Sequence, residues 1–98
     1  MEFEWDEKKN EANWIKHRVD FSDALYVFLD DSRIEREDIR NHYGETRYQT
    51  MGMTEQGVLF VIFTERSNDT IRLISARKAN KQERKWYERG YFRSLAAG

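Results

Sequence analysis

Three runs in the second half of the chain have the apolar pattern of β-strands. They are Thr46–Thr54, Val58–Arg66 and Ile71–Arg77. The segments between them, Thr54–Gly57 and Ser67–Thr70, are rich in turn-forming residues, so we expect the three strands to form antiparallel hairpins. The middle run is apolar at every position from 58 to 63, which predicts a central strand that is covered on both faces.

Helical signals lie on either side of these strands. Asp6 is the predicted N-cap of a first helix that runs to about Lys16. Ser22 is the predicted N-cap of a second helix, with Phe21 and Tyr26 forming a hydrophobic staple across its first turn.

The remaining segments complete the predicted fold. A short strand is expected at Phe3–Trp5, and a last helix at Asn80–Arg89 with Gly90 as its C-cap. The segment Arg33–Gly44 is polar and aperiodic, which predicts a long loop. The order β-α-α-β-β-β-α indicates an α+β domain, in which an antiparallel sheet is packed by two N-terminal helices and one C-terminal helix. We expect residues 1–90 to form a single domain and residues 91–98 to form a tail.

Composition narrows the classes of protein to which the chain can belong. The chain has 98 residues, 36% of them charged, and it contains no cysteine, which excludes disulfides and thiolate metal sites. No apolar run has membrane-spanning length and no signal peptide is recognised, so we expect a cytoplasmic protein.

Charge is distributed unevenly along the chain. Residues 1–65 contain 8 Lys and Arg against 15 Asp and Glu, whereas residues 66–98 contain 9 against 3. Such a chain can bind an anion at its basic pole and a basic partner at its acidic pole. Alternatively, the two halves pair with each other in the fold.

The last strand carries arginines at positions that bear on function. Strict alternation places Ile71, Leu73, Ser75 and Arg77 on one face, and Arg72, Ile74 and Ala76 on the other. Arg77 lies where the strand ends and the helix begins, and a guanidinium on such a rigid backbone suits a phosphate. The alternative is that Arg77 pairs with an acidic side chain.

The chemistry that this sequence can support is limited by the side chains it has. There is no convincing metal cluster, glycine-rich phosphate loop or serine elbow, so we expect no metal or other cofactor. The Lys, Arg, His and Glu side chains suit phosphodiester cleavage without a metal. That reaction needs a base for the ribose 2′-OH, an acid for the leaving 5′-oxygen and cations for the charge on phosphorus.

Two groups of residues are candidates for this chemistry. Hairpin register brings Arg47 level with Thr64 or Glu65, so Glu45, Arg47 and Arg66 are expected to form one cluster. The same reasoning puts Arg77 near the level of Phe60, towards the other end of the sheet. An ion-pair ladder is the structural alternative for the first cluster.

Lys16 and His17 form the second group, because they follow the first helix. The negative end of a helix favours a cation and is expected to raise the pKa of His17, which would suit an acid–base residue. The alternative is a histidine that only caps the helix. His42, in the predicted loop, is a weaker candidate.

With these residues in view, the chain resembles the BrnT toxins, the ribonuclease components of toxin–antitoxin pairs. The resemblance extends from about Phe3 to Tyr87 and depends on an ordered set of short motifs. They are Phe3-Glu4-Trp5-Asp6, Lys16-His17-x-Val19-x-Phe21, Gly44-Glu45-x-Arg47, Thr64-Glu65-Arg66, Ile74-Ser75-Ala76-Arg77 and Glu83-Arg84. Arg18 occupies a position where the family often has glycine.

The resemblance implies a RelE-like fold and metal-independent cleavage of RNA. It also implies inhibition by a BrnA antitoxin that contains a ribbon-helix-helix DNA-binding domain, typically in a 2:2 complex. Carried onto this sequence, the candidate catalytic residues are Lys16, His17, Glu45, Arg47, Arg66 and Arg77. We expect Glu45 and His17 to be base and acid in either order, the arginines to hold the phosphate, and Lys16 to assist.

Two other functions are compatible with the same sequence. One is an interaction module that binds a DNA-binding antitoxin and modulates operon repression without cutting RNA. The other is an RNA-binding sheet on which Tyr48, Phe60 and Phe63 stack bases, although these aromatic residues also fit a core. In every case the basic last helix, with Lys81, Arg84 and Lys85, is expected to bind RNA or the partner.

Overall fold

The computed structural model describes residues 1–40 and 44–92, so His42 and most of the predicted tail lie outside the described residues. The strands are β1 (Glu2–Glu4), β2 (Ile34–Asp38), β3 (Arg47–Thr54), β4 (Gly57–Arg66) and β5 (Thr70–Lys78). The helices are α1 (Glu7–His17), α2 (Phe21–Ala24), a 3-10 helix (Leu25–Leu29) and α3 (Lys81–Arg89). None of these helices in the described part of the chain is long and apolar enough to cross a membrane.

The strands form one sheet in the order β1-β5-β4-β3-β2. The hairpins β3–β4 and β4–β5 are antiparallel, as predicted, and β4 is the central strand. The expectation of a wholly antiparallel sheet is wrong, because β1 pairs with β5 in parallel. The two strands are far apart in sequence, because three further strands, β2, β3 and β4, lie between them along the chain.

The predicted loop over Arg33–Gly44 is wrong for its first half, which forms the edge strand β2. Ile34, Arg36 and Asp38 alternate with exposed Glu35 and Glu37. Two of the three inward positions are charged, so the sequence lacks the alternation of apolar and polar residues by which a strand is recognised. Their burial is tolerated because Arg36 donates to Gln49 Oε1 at 2.7 Å and Asp38 accepts two hydrogen bonds from the Arg40 guanidinium at 2.9 Å.

The core lies on both faces of β4. Leu59, Val61 and Phe63 pack beneath α2 and the 3-10 helix. Phe60 lies on the opposite face, in a smaller cluster that Trp86 and Tyr87 of α3 partly cover. The prediction of a strand covered on both sides is confirmed.

The predicted faces of β5 are wrong beyond Leu73, because the strand contains a β-bulge. Ile62 pairs with Ser75 but Phe63 pairs with Leu73, which leaves Ile74 as an extra residue. Ala76 is therefore buried on the same face as Leu73. The bulge brings Arg72, Ser75 and Arg77 together on the α3 face.

The second helix begins differently from the prediction. Asp20, not Ser22, is the N-cap: its carboxylate accepts hydrogen bonds from the Ser22 backbone N–H at 2.9 Å and from the Ser22 hydroxyl at 2.8 Å. Phe21 is buried as the first helical residue while Tyr26 is 58% exposed, so they form no staple. A carboxylate is the stronger acceptor for the positive end of the helix.

The last helix follows its prediction closely. The Asn80 side chain accepts from the Glu83 N–H, the Glu83 carboxylate accepts from the Asn80 N–H, and Gly90 is the left-handed C-cap. Phe92, in the segment predicted to be a tail, packs on Phe60 and Trp86 with ring centroids 6.4 and 6.1 Å apart.

Gly52 of β3 sits where the sheet touches the 3-10 helix. A Cβ at this position would lie 2.8 Å from the Val27 carbonyl oxygen and 2.9 Å from Val27 Cγ1. We expect Gly52→Ala to lower the free energy of unfolding by about 1–3 kcal/mol, because the backbone must move to relieve the overlap. Urea denaturation measures this loss, with Met53→Ala, at the neighbouring exposed position, as the control. Equal stability of Gly52→Ala and wild type would contradict the close contact.

Candidate active site

The α3 face of the sheet carries three rows of side chains that run across β2, β3, β4 and β5. The row beneath α3 is Ile34, Met51, Phe60 and Arg77. The next row is Arg36, Gln49, Ile62 and Ser75, and the outer row is Asp38, Arg47, Thr64 and Arg72. The face changes from mainly apolar to wholly polar along the strands. We call the second and outer rows, together with Arg77, the polar face.

Arg77 is fixed on three sides. Its Nη1 and Nη2 donate to the two Glu83 carboxylate oxygens at 2.7 and 2.8 Å, and Nη1 also donates to the Lys78 carbonyl at 3.2 Å. The guanidinium carbon lies 4.3 Å from the centroid of the Phe60 ring. The alternative expected from sequence, that Arg77 pairs with an acid, is thus observed. The pairing leaves Arg77 rigid and about one-third exposed.

Glu83 is the buried anion of this arrangement. Burial alone would raise the pKa of its carboxyl group, but hydrogen bonds from Arg77 and the Asn80 N–H, with the charges of Arg77 and Arg36, outweigh burial and lower it. Glu83 is therefore ionised at neutral pH. Its stabilising effect is present above the ordinary glutamate pKa and is lost as the pH falls through the lowered value.

Asn13 sets the position of the end of α1. Its amide donates to the Val19 and Ala76 carbonyls, each at 2.8 Å, and accepts from the Ala76 N–H at 3.1 Å. These bonds fasten the last turn of α1 to β5 one residue before Arg77. Lys16 and His17 consequently lie at the Arg77 end of the sheet.

The expectation of a raised His17 pKa is wrong. Partial burial lowers the pKa of His17, and the positive charges of Lys16 and Arg77 lower it further. These effects outweigh the helix terminus, where Arg18 N–H already donates to the Trp14 carbonyl. His17 is therefore neutral at pH 7 and can accept a proton.

The Glu45 cluster lies elsewhere on the sheet. Arg47 Nε donates to Glu45 Oε2 at 3.1 Å, and Arg47 is level with Thr64, as predicted. Arg66 is exposed two residues beyond Thr64. Arg77 is level with Phe60, four residues away along β4, which corresponds to roughly 13 Å of strand. The structure thus joins Lys16, His17 and Arg77, and separately Glu45 and Arg47, but it does not bring the two groups together.

Sequence reasoning missed the residues that lie between these two groups. Arg36 donates to Gln49, and its guanidinium carbon is 4.3 Å from the Phe92 ring centroid. The charge of Glu83 also acts on Arg36. The alternation of side chains in residues 34–38 could have predicted the strand that carries Arg36. Seeing it requires that charged residues be allowed at inward-facing positions.

The proposed base-stacking aromatics are mainly core residues. Phe60 and Phe63 are 4% and 1% exposed, so neither presents a free ring face. Tyr48 is half-buried and stacks on Phe63 with ring centroids 5.3 Å apart. The alternative that they belong to the core is confirmed for the two phenylalanines.

The basic residues of α3 point away from the core. Lys81, Arg84 and Lys85 are exposed. Arg84 Nη1 donates to the Ala79 carbonyl at 2.9 Å.

Comparison with known proteins identifies the family. The model of the family "Ribonuclease toxin, BrnT, of type II toxin-antitoxin system" matches residues 5–83. The chain belongs to the BrnT family. The match includes Lys16, His17, Glu45, Arg47, Arg66 and Arg77, together with Lys81, but ends before Arg84.

The fold agrees with this assignment. The crystal structure of the Brucella abortus ribonuclease toxin BrnT superposes with a TM-score of 0.62 at 26% identity, covering 83% of this chain and 99% of the Brucella chain. A comparison with curated proteins gave no match. Membership of a type II toxin–antitoxin family implies that this BrnT-family chain has an antitoxin partner.

One departure from the BrnT pattern now has a structural explanation. Arg18, where the family often has glycine, adopts a left-handed conformation with φ 57° as the C-cap of α1. Glycine is the residue that adopts this conformation without steric cost. The guanidinium of Arg18 lies 5.5 Å from the Trp14 ring centroid, a contact that partly offsets the strain.

The cause of the lowered His17 pKa can be tested by removing a charge. We expect Lys16→Gln to raise the pKa of His17 towards its ordinary value, because one of the two positive charges that oppose protonation is lost. The imidazole pKa is measured by NMR titration. Lys8→Gln, at the other end of α1, is the matched control and should leave the pKa unchanged. A fall in the pKa on Lys16→Gln would contradict the assignment.

Proposed function

We propose that this chain is the toxin of a type II toxin–antitoxin pair and cleaves RNA in the cytoplasm without a metal ion. Family membership supports ribonuclease activity. The observation that carries the proposal is the polar face, where Arg36, Arg47, Arg72 and Arg77 lie on one rigid sheet surface. Such an array of guanidinium groups suits the backbone of a single RNA strand.

The distance between the two candidate groups determines which part of the reaction each group can perform. Base and acid must flank one phosphate, and roughly 13 Å of strand separates the level of Arg47 from that of Arg77. We therefore propose that His17 and Glu45 do not act on the same phosphate. We assign the chemistry to the His17 end and the binding of flanking nucleotides to Glu45, Arg47 and Arg66.

In this assignment, neutral His17 accepts the proton of the ribose 2′-OH. The 2′-oxygen attacks phosphorus, the bond to the 5′-oxygen breaks, and a 2′,3′-cyclic phosphate forms. Lys16 assists as a cation and proton donor to the leaving 5′-oxygen. Arg77, held by Glu83, stabilises the charge that develops on the phosphoryl oxygens.

The partner and wider fold class follow from the family. We propose that the antitoxin is of the BrnA type with a ribbon-helix-helix DNA-binding domain, that the complex is 2:2, and that the fold belongs to the RelE-like superfamily. DNA is then contacted only through the antitoxin.

One observation favours the second candidate function, a non-catalytic interaction module. Both terminal nitrogens of Arg77 already donate to Glu83. Arg77 can therefore contact a phosphate only through the edge of its guanidinium that faces away from Glu83, or act on it electrostatically without contact. An interaction module needs no arginine available for the reaction.

Cleavage of a defined RNA in EDTA tests the catalytic proposal. We expect wild type to cleave, His17→Ala to be slower by about 10²–10⁴-fold, and Arg77→Ala by about 10²–10³-fold. Glu45→Ala should mainly weaken binding, because it removes the carboxylate that positions the Arg47 guanidinium. Rates are measured by gel with folding checked by circular dichroism, and Glu11→Ala, exposed on α1, is the control.

Three results would contradict this proposal. Loss of wild-type cleavage in EDTA would show that a metal is required. Full activity in folded His17→Ala would move the chemistry to the Glu45 end, and absence of cleavage by wild type on free RNA would favour the interaction module.

Charge reversal on α3 tests its contribution to RNA binding. We expect the double variant Lys81→Glu with Lys85→Glu to bind single-stranded RNA at least about tenfold more weakly at low salt, with the difference shrinking as salt rises. Fluorescence anisotropy measures the affinity. Lys8→Glu with Lys9→Glu, the same charge change on α1, is the matched control. Equal affinity of both double variants would show that α3 makes no special contribution.

A further inference from the structure

A groove that has no part in the proposed reaction lies between the end of the 3-10 helix and the β3–β4 hairpin. Its volume is about 530 Å³. Three of its lining side chains are apolar and exposed: Tyr26 (58%), Leu29 (74%) and Met53 (51%). Single exposed apolar side chains are ordinary, but three that converge on one groove mark a surface suited to a partner.

The rim of this groove is acidic. Asp23, Asp30 and Glu55 line it, and no lysine or arginine among the described residues does. The segment from Val19 to Ser32 carries four aspartates and no basic residue. Burial alone would raise the pKa of Asp30, but hydrogen bonds from Tyr87 and from the Met53 and Ser32 N–H groups outweigh it and keep the carboxylate ionised at neutral pH. A basic partner is therefore favoured and an acidic one is disfavoured.

The groove is also rigid on its inner side. Asp30 accepts from the Met53 N–H at 2.7 Å and from the Tyr87 hydroxyl, which connects the 3-10 helix with both β3 and α3. Burial and the adjacent Asp30 raise the pKa of Tyr87 to about 12, so this bond persists through the neutral range. A preformed surface costs less ordering on binding than a mobile one.

The sheet edge at the groove is only partly covered. β2 pairs with β3 from Met51 to Arg47, so β3 continues to Thr54 without β2 beside it. Asp30 satisfies the Met53 N–H but contacts no other described backbone group of this edge. The groove thus offers apolar side chains, negative charge and a short strand edge together.

We propose that this groove binds a basic amphipathic segment of the antitoxin. Its apolar side chains contact Tyr26, Leu29 and Met53, and its flanking lysines or arginines pair with Asp23 and Glu55. The inference rests on the proposed toxin–antitoxin function for the identity of the partner, but it does not depend on RNA cleavage.

Model peptides test the proposed chemistry of the occupant. The probe is an 18-residue peptide of leucine and lysine with leucines at helical spacing, and its control has glutamate in place of every lysine. We expect calorimetry at low salt to give micromolar binding of the leucine–lysine peptide to wild type. The leucine–glutamate peptide should bind at least about tenfold more weakly.

Variants test where the peptide binds. We expect Leu29→Ser with Met53→Ser, and separately Asp23→Asn with Glu55→Gln, to weaken binding at least about tenfold. Ile15→Ser is the matched control, because Ile15 is 73% exposed and lies on α1 outside the groove. It should change the affinity less than about twofold.

Four outcomes would overturn the proposal. They are no binding of the leucine–lysine peptide to wild type, equal binding of the two peptides, unchanged binding in the folded groove variants, and an equal loss in Ile15→Ser. None of these measurements uses RNA, so failure here is distinguishable from failure of the proposed cleavage reaction.

Discussion

The buried Glu83 carboxylate organises the part of the molecule to which we assign function. It caps α3 through the Asn80 N–H, binds both terminal nitrogens of Arg77 at the end of β5, and acts electrostatically on Arg36 across the sheet. Removing one partner of such a pair leaves an uncompensated buried charge, which is strongly destabilising. The ion pair between Glu83 and Arg77 therefore holds α3 and β5 together. The same contact fixes the Arg77 guanidinium over Phe60, and the charge of Arg77 adds to burial and to the charge of Lys16 in lowering the pKa of His17.

A single irregularity determines which side chains share the polar face. Arg72 and Arg77 are five residues apart and would lie on opposite faces of a regular strand. The bulge at Ile74 places both on the α3 face, while Leu73 and Ala76 remain in the core beneath α1 and α2. The bulge thus separates a cationic surface from an apolar one within a strand of nine residues.

Sequence patterns predicted the elements whose structure depends on neighbouring residues. They did not predict the features that depend on contacts with residues distant in sequence. The hairpin register that sets Arg47 level with Thr64 and Arg77 level with Phe60 follows from the turns, and α3 follows from Asn80 and Gly90. The strand β2 was missed because its inward residues are charged, and their burial depends on Gln49 and Arg40. The bulge and the lowered pKa of His17 depend on tertiary contacts that no local pattern shows, and the division of the candidate site follows from the same geometry.

The fold places basic and acidic side chains on two separate surfaces. Arginines from β2, β3 and β5 gather on the polar face, while Asp23, Asp30 and Glu55 surround the groove between the 3-10 helix and the β3–β4 hairpin. A segment that fills only the groove leaves the arginines accessible to RNA. A partner that neutralises the proposed activity must therefore extend beyond the groove. The Asp30–Tyr87 hydrogen bond links the groove to α3, the helix that carries Glu83. In the complex that we propose, the groove supplies affinity through apolar contact, and the polar face supplies inhibition through competition with RNA.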